Sequence, residues 1–224
     1  MEIVPTILTA DFEEFSQKIK LLSGITDRVQ VDFVDGKFAP KQTVSLEVIK
    51  TIGELETMKV DLHLMVKEPV DWITRALEIL PDRIIAQVEM MKDPMEFIAE
   101  LAETGVEVGL GLDLETPISV VSDEAYSSVD LILLMAHRVG ESGLPFDPKV
   151  LDKIAQISKI IGEGTEIAVD GGLNQKNIKL AGKNGASIFY VGSSFWSPSA
   201  EAPEGQAPDL KKRYNELAGL LNND

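Results

Sequence analysis

The chain contains no cysteine, which excludes a disulfide framework and any site built on thiolates. No apolar run approaches the ~20 residues that a bilayer-spanning helix needs. The opening residues, Met1-Glu2-Ile3-Val4-Pro5-Thr6, lack the basic start and long apolar stretch of a secretory signal. Positive charge is scarce: 21 Lys and Arg stand against 37 Asp and Glu, a formal charge of −16. That balance argues against nucleic acid or an anionic membrane as a partner. A cytoplasmic protein with a solvated acidic surface is the expectation. No strand candidate is followed by a G-x-G-x-x-G turn, so a dinucleotide-binding open sheet has no support.

What the chain does have is one pattern, repeated. Its 224 residues are 44% apolar, enough for a sizeable core. Eight short β-rich runs fall at 3–8, 28–33, 59–66, 83–88, 106–112, 129–135, 166–169 and 187–192. Amphipathic stretches separate them, several opened by helix-start signals: Asp11, Glu68-Pro69, Asp93-Pro94 and Asp147-Pro148. Gly105 and Gly162 are the expected closures of two helices. Eight strand–helix units in this length predict a single (β/α)₈ barrel, an α/β fold spanning residues 1–224. The low-complexity stretch 197–208 reads as a long loop beside the mouth, or as a surface excursion with no role.

Ionisable side chains stand out in three of the apolar runs. Asp32 ends the second, His63 sits towards the end of the third, and Asp170 ends the seventh. Thr6 nearly ends the first. Burying an unpaired charge is costly, and barrel chemistry sits at the C-terminal ends of strands. These four therefore point to one mouth. Two carboxylates across a substrate suit proton removal from one face of a carbon and its return to the other, and a metal between them would polarise a neighbouring carbonyl and hold the enediolate.

The motifs carry a resemblance. Pro5-Thr6-Ile7-Leu8-Thr9-Ala10-Asp11-Phe12 is similar to P-S-I-L-S-A-D-F, the opening of the ribulose-phosphate 3-epimerase family. Val31-Asp32-Phe33-Val34-Asp35-Gly36-Lys37-Phe38-Ala39-Pro40 resembles its V-D-V-M-D-G-x-F-V-P. His63-Leu64-Met65-Val66 matches H-L-M-V, Val169-Asp170-Gly171-Gly172 matches V-D-G-G, and Val191-Gly192-Ser193-Ser194-Phe195 resembles G-S-x-x-F. The resemblance covers nearly the whole chain. It implies a ribulose-phosphate binding barrel, of homo-oligomeric habit, that interconverts D-ribulose 5-phosphate and D-xylulose 5-phosphate. It also implies an acid/base pair at Asp32 and Asp170 around a divalent ion (Mn, Fe, Zn or Mg). The ion's ligands would be those aspartates, His63 and a histidine two residues before the first aspartate.

That last position is Gln30. A carboxamide oxygen is a weaker donor than imidazole, so metal affinity is expected to fall, and one nitrogen with three oxygens suits Mn²⁺ or Mg²⁺ better than Zn²⁺. Gln87 is a second exchange, where the family has His in H-x-E ahead of Glu89. The loop after the sixth strand departs too. Met135-Ala136-His137-Arg138-Val139-Gly140-Glu141-Ser142-Gly143-Leu144 stands where the family reads M-S-V-N-P-G-F-G-G-Q. The stretch after Pro40 lacks the family's Gly-Pro. Gly171-Gly172 and Gly192-Ser193 are placed to offer amides to a phosphate, or they only make tight turns. Met65 and Met135 match methionines beneath the substrate, or are simply core packing. His137 and Arg138 either form a new contact to a different substrate or lie exposed in the loop, and the second reading is adopted.

Three functions compete on these residues. The first is a metal-dependent sugar-phosphate 3-epimerase, the reading adopted. The second is a diverged barrel acting on another phosphorylated ketose, or a non-catalytic sugar-phosphate binder. The third, a hexulose-phosphate synthase or orotidine-type decarboxylase, needs D-x-K-x-x-D, whereas Asp61-Leu62-His63-Leu64-Met65-Val66 has no lysine.

Overall fold

Every strand of the sheet pairs in parallel with its sequence neighbour, and the last returns to the first, closing an eight-stranded barrel. The computed structural model describes residues 1–141, 143–197 and 209–222. The strands are β1 (Glu2–Ile7), β2 (Arg28–Val34), β3 (Lys59–Met65), β4 (Arg83–Gln87), β5 (Glu107–Leu112), β6 (Leu131–Met135), β7 (Glu166–Asp170) and β8 (Ile188–Val191). Helices or helical turns follow the strands, so the expected (β/α)₈ architecture holds. Apart from Ser197, the stretch 197–208 expected to form a loop at the mouth lies outside the described residues. Among the described residues no helix is long and apolar enough to cross a membrane.

The pleat explains both the apolar runs and their polar interruptions. Successive strand residues alternate between the helical layer and the barrel interior. Ile3, Ile7, Val29, Val31, Phe33, Leu62 and Leu64 face outward into the large core shared with the helices. Val4, Val34, Met65, Ile85, Leu133, Met135, Ala168 and Tyr190 form a second, interior core. Thr6, Gln30, Asp32, Asp61, His63, Gln87 and Asp170 all share the interior parity. On β5 the inward positions are Gly109 and Gly111, where a Cβ would come within 2.9 Å of Ile85 and 2.7 Å of Gln87. β5 thus yields interior volume to two side chains of β4.

Two helix ends differ from expectation. The helices Pro94–Leu101 and Lys149–Ile157 stop short of Gly105 and Gly162. Hydroxyls take over the closing carbonyls: Thr104 Oγ1 donates to Leu101 O (2.7 Å) and Ser158 Oγ to Ile154 O (2.8 Å). Two of the N-terminal signals act as side-chain caps, whereas Glu68 and Pro148, at the cap positions of the other two, form no side-chain cap. Asp11 and Asp93 accept backbone N–H bonds from Glu14 and Met95, each at 2.9 Å.

The N-terminal end of the barrel is plugged by a charge network. Asp61, fully buried, takes Arg28 Nη1 at 3.3 Å, Arg83 Nη1 at 3.5 Å and the Tyr190 hydroxyl at 2.7 Å. Arg83 continues to Glu166 at 3.2 Å. Here each buried charge has an opposite partner.

Candidate active site

The other end of the barrel is open. A cavity of about 520 Å³ sits over the C-terminal strand ends, lined by Thr6, Asp32, His63, Met65, Met135, Asp170, Gly171, Gly172, Gly192 and Ser193 among others. These are the residues proposed from sequence as catalytic or substrate-binding. Gln30 lies fully buried beneath them. Strand register brings them together: Thr6 is opposite Gln30, Asp32 opposite His63, and Met135 opposite Asp170.

His63 is held from both ring nitrogens. Its Nδ1 lies 2.9 Å from Asp32 Oδ1 and 3.1 Å from Gln30 Nε2. On the other side, with the Gln87 amide oriented to suit its neighbours, its oxygen accepts His63 Nε2–H at 3.1 Å while its nitrogen donates to Glu89 Oε2 (2.8 Å) and Gly111 O (3.0 Å). With Nε2 as the donor, a neutral ring presents the Nδ1 lone pair to the cavity side. A lone pair 2.9 Å from a carboxylate oxygen calls for positive charge between them, a proton or a cation. Asp170 meets the same group through its Oδ2, 3.4 Å from Gln30 Nε2. Burial, and then the nearby charge of Asp32, push the Asp170 carboxyl well above the usual carboxylate range.

The donor set fits a divalent cation. Asp32, His63 and Asp170 each offer one ligand atom, and these atoms lie within 4.8 Å of one another. Two carboxylate oxygens and one imidazole nitrogen suit a hard or borderline ion. Gln30 turns its amide nitrogen, not its carbonyl oxygen, toward them, and its Oε1 accepts the Thr6 hydroxyl at 2.9 Å.

The βα turns around the cavity show why the glycines stand where they do. Gly171 and Gly172 have φ of +113° and +60°, and a Cβ on Gly172 would come within 2.1 Å of Phe146 N. A Cβ on Gly171 would lie 2.7 Å from His137 Cδ2. The tight-turn reading of these two residues therefore has direct support, and both residues line the cavity. Asp35, the second aspartate of the Val34-Asp35-Gly36 run, is a loop brace: it accepts the backbone N–H of Lys37 (2.7 Å), Phe38 (2.8 Å) and Lys67 (3.0 Å).

The exposed pair expected at His137 and Arg138 divides. Arg138 is exposed, but His137 is 8% exposed, lines the cavity and packs against Gly171. The available signal was parity, since His137 is two residues beyond Met135 and keeps its inward side. Lys18, Lys41 and Trp196 also line the cavity, and sequence reasoning assigned them no part there. Trp196 Nε1 donates to Thr6 O at 2.7 Å, which ties the turn after β8 to the end of β1. Trp72 packs instead on Phe33, with ring centroids 4.9 Å apart.

The ribulose-phosphate 3-epimerase family model matches residues 2–196 of the chain. The chain belongs to this family. Ribulose-phosphate 3-epimerase of Escherichia coli K12 is 31% identical over 98% of this chain and 95% of its own length. The Bacillus subtilis enzyme of the same name is 29% identical over 98% and 99%. Among solved structures, a mutant tryptophan synthase alpha-subunit from Pyrococcus furiosus superposes with a TM-score of 0.64 over 97% of each chain. At 17% identity that likeness speaks to the barrel alone. Against the family motifs quoted above, the departures include Gln30, Gln87, the stretch after Pro40 and positions 136–144.

Proposed function

We propose that this family member is a sugar-phosphate 3-epimerase that interconverts D-ribulose 5-phosphate and D-xylulose 5-phosphate. The observation that carries the reading is the meeting of the Asp32 and Asp170 carboxylates, with His63, within 4.8 Å at the cavity floor. Two crowded carboxyl groups do not both hold charge readily, so one serves as base and the other as acid. One removes the C3 proton, the other delivers a proton to the opposite face, and the reverse reaction exchanges the roles. Asp32, His63 and Asp170 would hold a divalent cation, which would supply Lewis-acid polarisation of the substrate's carbonyl.

Thr6 adds a hydroxyl beside the reacting carbon, and Met65 and Met135 form a flexible apolar floor. Amides of Gly172, Gly192 and Ser193, with Lys18 and Lys41 at the wall, favour a phosphate at that side of the cavity. The volume of about 520 Å³ is ample for a pentose phosphate. One observation favours a second substrate, another phosphorylated ketose: His137 occupies the cavity wall at a place where the family motif has Val.

The test is a coupled assay for xylulose 5-phosphate formation by metal-stripped protein, with Mn²⁺, Fe²⁺, Zn²⁺ or Mg²⁺ restored singly. Metal-dependent turnover lost in Asp32→Asn and Asp170→Asn is the expected result. No turnover with any cation would reject this substrate and direct the same assay to other ketose phosphates.

A further inference from the structure

Gln30 is the one member of the cluster that faces its neighbours with an atom unable to bind a cation. Its Nε2 lies 3.1 Å from Asp32 Oδ1, 3.1 Å from His63 Nδ1 and 3.4 Å from Asp170 Oδ2. Ligands that share an ion at about 2.1 Å stand about 3.0–3.4 Å from each other. The amide nitrogen therefore occupies the fourth corner of a ligand set completed by Asp32, His63 and Asp170. An amide nitrogen carries two hydrogens and no usable lone pair, whereas the carbonyl oxygen of the same side chain has two.

The two ends of a carboxamide are nearly equal in size, so a half-turn about the last side-chain bond exchanges them within the same space. Without a cation the half-turn is opposed, because the oxygen would face two carboxylate oxygens and an imidazole lone pair. With a cation the preference inverts. The other end of the amide must then be satisfied in a fully buried position. Among the described residues its partner is the Thr6 hydroxyl, at 2.9 Å, on the residue opposite Gln30 in strand register. A hydroxyl serves either end, donating to the oxygen or accepting from the N–H.

We propose that Gln30 is a two-position residue. Its N–H groups bridge Asp32, His63 and Asp170 in the metal-free protein. A half-turn of the carboxamide makes Oε1 the fourth ligand when a cation binds, with Thr6 changing from donor to acceptor. The inference rests on the metal-assisted reading above and adds a residue-level consequence. The side chain that replaces a histidine is a conditional ligand, and its hard oxygen favours Mn²⁺ and Mg²⁺.

The experiment is calorimetric titration of Mn²⁺ and Mg²⁺ into the metal-stripped full chain, its Gln30→Leu form and its Thr6→Val form, with thermal melting to confirm folding. Each substitution is expected to weaken Mn²⁺ binding about tenfold or more, the scale of a lost ligand or ligand partner. If Gln30 only caps the carboxylates through its N–H groups, Gln30→Leu frees them and Mn²⁺ binds as tightly or more tightly. That result overturns the proposal and leaves the metal reading intact, whereas no cation binding by the unaltered chain overturns both. A second readout needs no folded variant at saturation. The side-chain amide resonances of Gln30 in the unaltered protein are expected to shift on addition of diamagnetic Mg²⁺, and resonances unmoved at saturation reject the half-turn.

Discussion

The two ends of this barrel use the same kinds of residue in opposite ways. At the N-terminal end, Asp61 is faced by two guanidiniums and a tyrosine hydroxyl, and it does not line the active-site cavity. At the C-terminal end, Asp32 meets one imidazole and one neutral amide, and Asp170 meets the same amide, with no Lys or Arg bonded to either among the described residues. Both sets stand on inward positions of the strands, a few residues apart on β2 and β3. One carboxylate is compensated and serves the fold. The other two are left short of positive charge, beneath a cavity that admits a ligand. An acidic cluster without its counter-charge disfavours the fold, and its retention makes sense only if a cation, a proton in transit or a substrate completes it.

The contrast is sharpest under substitution. Asp32→Asn and Asp170→Asn are each expected to lower turnover about a thousandfold, the loss typical of a general acid or base. Their melting temperatures should stay level or rise, because each removes one of two crowded charges. Kinetics and thermal melting on the same samples check both halves of this expectation. Asp61→Asn should behave in reverse. Removing the buried charge shared by Arg28 and Arg83 costs about 3 kcal/mol, roughly 10 °C in Tm for a chain of this length. Turnover per folded molecule should change less than twofold. A large kinetic defect in Asp61→Asn with unchanged Tm would erase the distinction between the ends.

Gln87 lies between these extremes, because it touches neither the cavity nor the plug. It accepts from His63 Nε2 and is held by Glu89 and Gly111 O. Glu89 is itself fixed by Asp113 N and Thr116 Oγ1, both at 2.7 Å. Gln87→Leu therefore leaves the loop braced but frees the imidazole to exchange tautomers. Metal affinity should fall about 10–100-fold, the usual effect of removing a ligand's own partner, while Tm moves little. Titration calorimetry on the metal-stripped protein measures it.

Much of this was legible from residues alone, because the barrel writes itself into sequence as period-two alternation with polar residues on one parity. Asp32, His63 and Asp170 were visible as ionisable groups inside apolar runs, and their convergence followed from strand order. The direction of the Gln30 amide was not legible. It depends on which neighbours donate and which accept, and apart from Asp32 those come from β1, β3 and β7. Gly171 and Gly172 were visible as glycines, but their steric reason lies in His137 and Phe146, which reach them from the β6 loop. Helix ends were misplaced for a similar reason: Thr104 and Ser158 close carbonyls with hydroxyls ahead of Gly105 and Gly162.

The smallest expected effect belongs to His137, and it tests whether the open end reads its substrate through the altered loop. His137 Nδ1 bonds Arg138 O at 2.9 Å, which leaves Nε2 without a hydrogen-bond partner among the described residues. The ring edge rests on Gly171, beside the amides proposed for phosphate. A contact from Nε2 to the bound sugar phosphate would strengthen ground state and transition state alike. His137→Val, which installs the residue of the family motif, should then raise KM for ribulose 5-phosphate about fivefold and leave kcat within twofold. Steady-state kinetics with ribulose 5-phosphate and with a longer ketose phosphate decide the matter. If His137→Val instead improves ribulose 5-phosphate turnover and harms the longer ketose, the histidine is a selector against the pentose, and the second substrate becomes the better reading of this site.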